Sequence, residues 1–157
     1  IFLPDQYMAN YVASKTKVKI ISWKGTCIVH EKFTAKEIYD IKKQNPEILI
    51  LSHPECPPDV ITASDFTGST TGMINYVKNN QPKKVMMVTE CSMSDNVEVE
   101  NPNVQFIKPC NLCPYMKTIT LPKILDCLKN ENNEILIPNN IIRKARSAVE
   151  RMTAIGR

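Results

Sequence analysis

The chain has 157 residues and 43% hydrophobic content, enough for a domain with a real core, so disorder is not the expected state. Its net charge of +4 lies within residues 141–157 and only 6% of residues are aromatic, which argues against a nucleic-acid interface. No apolar stretch approaches the roughly 18 residues of a membrane span, and no signal peptide opens the chain, so we expect a cytoplasmic protein without a nucleic-acid or membrane partner.

Strand-like and helix-like segments alternate along the first two thirds of the chain. The predicted strands are rich in apolar or β-branched residues and lie at 17–23, 47–51, 65–67, 84–89 and 104–107. Between them, Thr34 and Glu37 form the capping-box pattern that starts a helix, Pro57 and Pro58 suit the first turn of another, and Ser69 opens a third. The alternation predicts βαβ crossovers and an α/β fold, with helices covering both faces of a parallel sheet in a three-layer αβα domain.

The last part of the chain differs in character from the alternating part. It predicts a short helix at 121–128, a brief extended stretch at 135–137, and a tail helix whose apolar residues recur at helical spacing from Ile141 to Met152. Few basic residues accompany this apolar stripe, so we expect it to pack against its own or an adjacent domain instead of a membrane surface.

Side chains that bind metals or transfer protons follow the ends of the predicted strands. They are Cys27, His30, His53, Glu55, Cys56, Cys110 and Cys113, together with the hydroxyls of Ser69 and Thr70. The carboxyl ends of parallel strands share one edge of a sheet, where ligands collect, so these groups are expected at one site. His53 and Glu55 flank Pro54 and therefore point to the same side of an extended segment. Ser69 and Thr70 suit an anion at a helix N-terminus, although a simple N-cap also explains Ser69.

The six cysteines, without a secretory signal, predict reduced thiols or metal ligands instead of a disulfide framework. His53-x-x-Cys56 and Cys110-x-x-Cys113 together match a zinc ligand set, but 53 residues separate the two halves, far more than a zinc finger uses. Cysteine followed by proline, at Cys56 and Cys113, is also found where thiolates hold iron–sulfur clusters. A non-catalytic zinc-binding or assembly module is therefore the alternative to an enzyme.

Several longer segments resemble the quinolinate synthase family, whose members are iron–sulfur enzymes of NAD biosynthesis. The segments are PDQYMANYVA, WKGTCIVHEKFT, SHPECP, DFTGSTTGMINYV and CPYMKTITLPKILD, and the resemblance covers almost all of residues 1–153. It implies three similar α/β domains around a pseudo-threefold axis, of which this chain is the C-terminal half. Residues 1–27 would then end the middle domain, 28–113 would form the third domain, and 114–157 would pack on the first domain.

The resemblance also implies a [4Fe-4S] cluster that takes one cysteine from each domain and leaves one iron without a protein ligand. Position by position, the WxGxC cysteine is Cys27 and the CPxM cysteine is Cys113, so these two and not Cys56 are the implied ligands. The third cysteine would come from the N-terminal portion of the same enzyme, which is therefore an expected partner.

The implied reaction condenses iminoaspartate with dihydroxyacetone phosphate to quinolinate, with the cluster acting as a Lewis acid. His53 is the expected catalytic residue that orients or protonates a substrate oxygen, and Glu55 is the expected proton shuttle. The expected substrate-binding residues are Ser69, Thr70 and His30. The stretch 89–92 departs from the family, since Cys91 and Ser92 stand where a small residue or glycine is expected, and this leaves Glu90 without an assigned role.

Overall fold

A computed structural model describes residues 1–155 of the chain. Gly156 and Arg157, which end the expected tail segment, lie outside the described residues. The chain divides into a first compact unit of residues 1–117 and a second unit from residue 118 onward. Within residues 1–155, no helix combines the length and the apolar character that crossing a membrane requires.

A parallel four-stranded sheet forms the centre of the first unit. Its strands are β1 (Ile48–Ser52), β2 (Phe66–Thr67), β3 (Lys84–Val88) and β4 (Gln105–Phe106). Their order in the sheet is β2-β1-β3-β4, and Ile48 lies opposite Lys84 while Ser52 lies opposite Val88. β2 therefore pairs with one edge of β1, and the chain then crosses to the opposite edge of β1, where β3 pairs. The carboxyl ends of β1 and β3 form the switch point at which open α/β sheets bind ligands.

Helices cover both faces of this sheet. Those of the first unit are α1 (Gln6–Ser14), α2 (Ala35–Gln44), α3 (Pro58–Ala63), α4 (Thr70–Asn80) and α5 (Cys91–Glu100), with a 3-10 turn at His30–Lys32. The predicted capping box is confirmed: the Thr34 hydroxyl accepts from the Glu37 N–H, and the Glu37 carboxylate accepts from the Thr34 N–H. Each bond satisfies a donor that the first turn of a helix leaves unpaired.

Two apolar clusters, one on each side of the sheet, hold these layers together. Ile50 and Val88 belong to the cluster that contains Ile38 of α2 and Val60 of α3, and all four are buried. The other cluster joins Leu51, Val85 and Met87 of the strands to Met73 and Val77 of α4 and Val97 of α5. Each fully buried side chain of this size contributes about 1.5–3 kcal/mol. The three-layer αβα domain with a parallel sheet is therefore confirmed.

The strand predicted at 17–23 is wrong. The segment forms only isolated bridges with the start of the chain, Phe2 with Ser22 and Asp5 with Gly25. Hydrogen bonds run from the Phe2 N–H to the Ile21 carbonyl at 2.8 Å and from the Gln6 N–H to the Gly25 carbonyl at 2.8 Å. The β-branched side chains here are largely exposed, so their composition reflects no buried sheet position.

Alanine at position 25 is expected to destabilise the first unit by about 1–3 kcal/mol. The new Cβ would lie 2.5 Å from the Pro4 carbonyl oxygen, and hydrogen bonds hold the backbone on both sides. Thermal unfolding of the whole enzyme measures the loss. Gly72→Ala is the matched control, because its Cβ would lie 3.4 Å from the nearest atom, within a helix that alanine favours. Equal melting temperatures for the two variants would contradict the prediction.

The second unit contains the helices α6 (Leu121–Asn130) and α7 (Asn139–Ile155), both expected from the sequence. The Thr120 hydroxyl caps α6 by accepting from the Lys123 N–H. No strand pairing forms at 135–137. The apolar stripe of α7 is exposed, with Met152 at 65%. Its expected packing against another domain stays a prediction.

Candidate active site

The end of β1 presents His53 and Glu55 at the switch point of the sheet. The His53 N–H donates to the Val88 carbonyl at 3.3 Å, which extends the pairing of β1 with β3 by one residue. The Cys56 N–H then donates to the His53 carbonyl at 3.0 Å and closes a turn. This turn directs Cys56 into the apolar core and leaves Glu55 facing a cleft.

Cys27 and His30 reach the same place from a different segment. The Cys27 N–H donates to Asp5 Oδ2 at 3.1 Å, and the Cys27 carbonyl accepts from the Glu31 N–H at 3.0 Å. Donor atoms of Cys27, His30 and Glu55 all lie within 4.8 Å of one another. In the part of the chain that the structure describes, these three form the only such group of potential metal ligands. A cleft of about 420 Å³ opens beside Cys27 and Glu55.

His30 is the centre of this group. Its Nδ1 lies 3.0 Å from Glu55 Oε2, its Nε2 lies 3.0 Å from Thr89 Oγ1, and its ring stacks on His53 with centroids 4.6 Å apart. The Nδ1 contact has the distance of an ion pair but not the angle of a hydrogen bond. This nitrogen is the one buried side-chain polar atom without a hydrogen-bond partner among residues 1–155. The carboxylate of Glu55 is therefore the nearest group to this nitrogen.

Different causes lower the pKa values of Glu55 and His53. Contact with His30 lowers the pKa of the Glu55 carboxyl, and burial opposes this only in part, so the group is ionised at neutral pH. Burial lowers the pKa of His53, with a further contribution from His30, so its imidazole is neutral. The Glu55 N–H donates to His53 Nδ1 at 3.3 Å, which assigns the proton of the neutral ring to Nε2. The site therefore contains a carboxylate base beside an N–H donor.

The two thiols implied as cluster ligands pack against the same apolar cluster of the core. Burial raises the pKa of Cys27, while the backbone N–H groups of His30 and Val29 bond to the sulfur and oppose the rise. Such N–H donors stabilise a metal-bound thiolate. Cys113 is half-buried, and its carbonyl accepts from the Lys117 N–H. Cys113 does not belong to the group formed by Cys27, His30 and Glu55. Two partly buried thiols, one of them backed by backbone N–H groups, nevertheless have the donor chemistry that an iron–sulfur cluster requires.

The alternative zinc set of His53, Cys56, Cys110 and Cys113 is not assembled among the described residues. Cys56 is fully buried, its thiol donates to the Val88 carbonyl at 3.5 Å, and burial raises its pKa to about 12. A thiol that resists ionisation is a poor metal ligand. Cys110 instead lies beside Cys91, and this contact raises the pKa of Cys91 to about 11.

Alkylation is expected to distinguish these thiols. At pH 8 iodoacetamide should label the exposed Cys110 in the native protein and leave Cys56 unmodified, because a pKa of about 12 leaves only about one thiolate in ten thousand. Mass spectrometry of digested, quenched samples measures both positions. Denatured protein, in which both should react, is the control. Native labelling of Cys56 at the rate of Cys110 would contradict its burial in the core.

Ser69 and Thr70 lie at the start of α4 and do not belong to the group of side chains around His30. Ser69 is the N-cap, and its hydroxyl accepts from the Gly72 N–H at 3.1 Å, as the simpler interpretation of the sequence predicts. Thr70 lines a second cleft of about 320 Å³ together with Thr89 and Glu90. Thr89, which also bonds His30, therefore connects this second cleft to the group formed by Cys27, His30 and Glu55.

Sequence reasoning missed Thr89 and Asp5 as contributors to the site. Thr89 follows β3 and is 3% exposed, and Asp5 is 2% exposed beneath Cys27. The end of a predicted apolar strand was a usable signal for Thr89. For Asp5 the sequence offers only an N-cap signal before a helix, which does not point to Cys27. Glu90, left without a role, caps α5 by accepting from the Ser92 N–H.

Comparison with known proteins identifies the family of the chain. The family model described as "Quinolinate synthetase A protein" matches residues 1–154. Quinolinate synthases of Sinorhizobium fredii, Xylella fastidiosa and Caulobacter vibrioides are 57%, 51% and 47% identical to the chain, over 96%, 99% and 97% of its length. The matched part is 42%, 46% and 41% of these relatives, so the chain spans less than half of their length. The expected placement in the C-terminal half stays a prediction. The chain belongs to the quinolinate synthetase A family.

Proposed function

We propose that this chain supplies part of the active site of a quinolinate synthase, which condenses iminoaspartate with dihydroxyacetone phosphate and releases phosphate and two waters. The observation that carries the proposal is the convergence of Cys27, His30 and Glu55 at the switch point of the sheet, in a member of this family. The stacked neutral His53 adds a proton donor to the same group.

Cys27 and Cys113 are the residues that would hold the [4Fe-4S] cluster, with a third cysteine from the remaining portion of the enzyme. A bound cluster with an open iron position supplies Lewis-acid chemistry without a change of redox state. The backbone N–H groups of Val29 and His30 would stabilise the Cys27 thiolate. The packing of both cysteines on one apolar cluster would limit water around them.

Glu55 acts in this proposal as the base that removes a proton during enolisation and water loss. Its carboxylate is ionised and faces a cleft, so it can accept a proton from a molecule bound there. His53 would donate its Nε2 proton to a substrate oxygen. His30 contacts Glu55 through Nδ1 and Thr89 through Nε2, so it would orient the carboxylate, and it is also proposed to bind substrate.

Ser69 and Thr70 are proposed to bind the phosphate or a carboxylate of the substrates. Thr70 begins a helix of 11 residues, and the unpaired N–H groups at the start of a helix favour an anion. Thr89 lines the same cleft as Thr70 and also bonds His30. Because Ser69 already caps the helix, its hydroxyl would contribute to an anion site only by exchanging partners.

The expected division of the whole enzyme is part of the proposal. Residues 1–27 would end the middle domain, 28–113 would form the third of three similar domains, and 114–157 would pack on the first. The exposed apolar stripe of α7 supports a packing role for the last segment. The cytoplasmic location expected from the sequence also stays a prediction.

Anaerobic reconstitution of the whole enzyme tests the proposal. The protein should bind iron and sulfide in the ratio of one [4Fe-4S] cluster and convert the two substrates to quinolinate, detected by chromatography and mass spectrometry. A fully loaded protein that makes no quinolinate would overturn the assigned reaction. One zinc per chain, without iron or sulfide, would support the non-catalytic module instead.

A further inference from the structure

We propose that Asp5 is a positioning residue for the cluster ligand Cys27, holding the backbone of that cysteine through one carboxylate oxygen while the other caps α1. This inference rests on the proposed function, because it assigns Cys27 to the cluster. Asp5 is 2% exposed, and it lies 22 positions before the cysteine that it contacts.

Both oxygens of the Asp5 carboxylate accept a backbone N–H. Oδ1 accepts from Met8 at 2.8 Å within the first turn of α1, and Oδ2 accepts from Cys27 at 3.1 Å. Hydrogen bonds to an ionised acceptor are roughly twice as strong as neutral ones. One buried carboxylate therefore ties the start of a helix to the residue that presents the thiol.

Neighbouring contacts make this link rigid. The Gln6 N–H donates to the Gly25 carbonyl at 2.8 Å, and Asp5 pairs with Gly25 in a parallel bridge. Gly25 leaves no room for a Cβ against the Pro4 carbonyl, so the two segments pack tightly two residues before Cys27. The cysteine is thus held on its N-terminal side by Asp5 and on its C-terminal side by the turn that contains Glu31.

Capping of α1 alone does not require an aspartate. Serine and asparagine cap helices about as well as aspartate. Only a carboxylate offers a second acceptor oxygen to the Cys27 N–H, since serine is too short and the asparagine amide presents N–H groups. The choice of aspartate is explained by the bond to Cys27.

The test compares Asp5→Ser and Asp5→Asn with the parent enzyme. In the metal-free protein, hydrogen exchange of the Cys27 amide should accelerate about tenfold or more in Asp5→Ser, while the Met8 amide stays protected by the serine cap. In the loaded enzyme, iron release to a chelator should be about tenfold faster in both variants. The reduction potential of the cluster should rise, because a negative charge near it is lost.

Thr34→Ala controls for a general loss of stability, since it removes the cap of α2 without touching Asp5. It should lower the melting temperature without changing the potential or the exchange of the Cys27 amide. The inference is overturned if the Asp5 variants match the parent in Cys27 exchange, iron release and potential, or if the parent holds no cluster. A parent that holds its cluster but makes no quinolinate would overturn only the proposed reaction, because none of these readouts requires turnover.

Discussion

Substitution of Glu55 by glutamine is expected to lower the turnover of the whole enzyme by about a hundredfold or more. Glutamine keeps the size of the side chain and can still contact His30, but it cannot accept a proton. The absorption and electron paramagnetic resonance spectra of the cluster should stay unchanged, because Glu55 is assigned to proton transfer and not to iron. Steady-state quinolinate formation per cluster measures the effect.

Glu47→Gln is the matched control for this variant. Glu47 directly precedes β1, so it lies at the opposite end of the strand from Glu55, and it pairs with Lys83 on the surface at 3.1 Å. An exposed ion pair of this kind contributes little to stability, so the control should retain full turnover. Loss of the cluster from Glu55→Gln, with an unchanged rate per remaining cluster, would contradict the role of Glu55 as a base.

Replacement of Cys27 or Cys113 by serine is expected to abolish the cluster. Either change leaves the enzyme with too few thiolates for a [4Fe-4S] centre, since serine replaces a soft sulfur ligand by a hard oxygen. Activity should fall to background in both variants. Iron and sulfide analysis with visible absorption of anaerobically purified protein measures the loss.

Cys110→Ser provides the control three positions before Cys113. Cys110 is exposed and contacts Cys91 instead of the group around Cys27, so its serine variant should keep a full cluster. A brown, fully loaded Cys113→Ser protein would refute the assignment of that ligand. A colourless Cys110→Ser protein would shift the ligand to position 110.

The sequence by itself determined the central strands β1 and β3 and the capped helix α2 of the first unit, because their signals are local. Thr34 and Glu37 fall three residues apart and close a capping box within one helical turn, and an apolar run such as 84–89 is consistent with a strand buried on both faces. The segment 17–23 shows where a local signal is not sufficient to predict a strand. β-branched composition favours extended backbone, but a strand also needs a neighbouring edge, and only the start of the chain is available there.

Only the tertiary structure decided which side chains meet. His53, Glu55 and Cys56 fall within four positions, yet the turn after β1 buries the thiol in the core and turns the carboxylate toward Cys27 and His30. The pairing of β3 with β1 places Thr89 beside His53, and His30, 59 positions before Thr89, contacts Thr89 while its ring stacks on His53. Such contacts depend on strand order and turn geometry, which a single sequence encodes only through the packing of the whole domain.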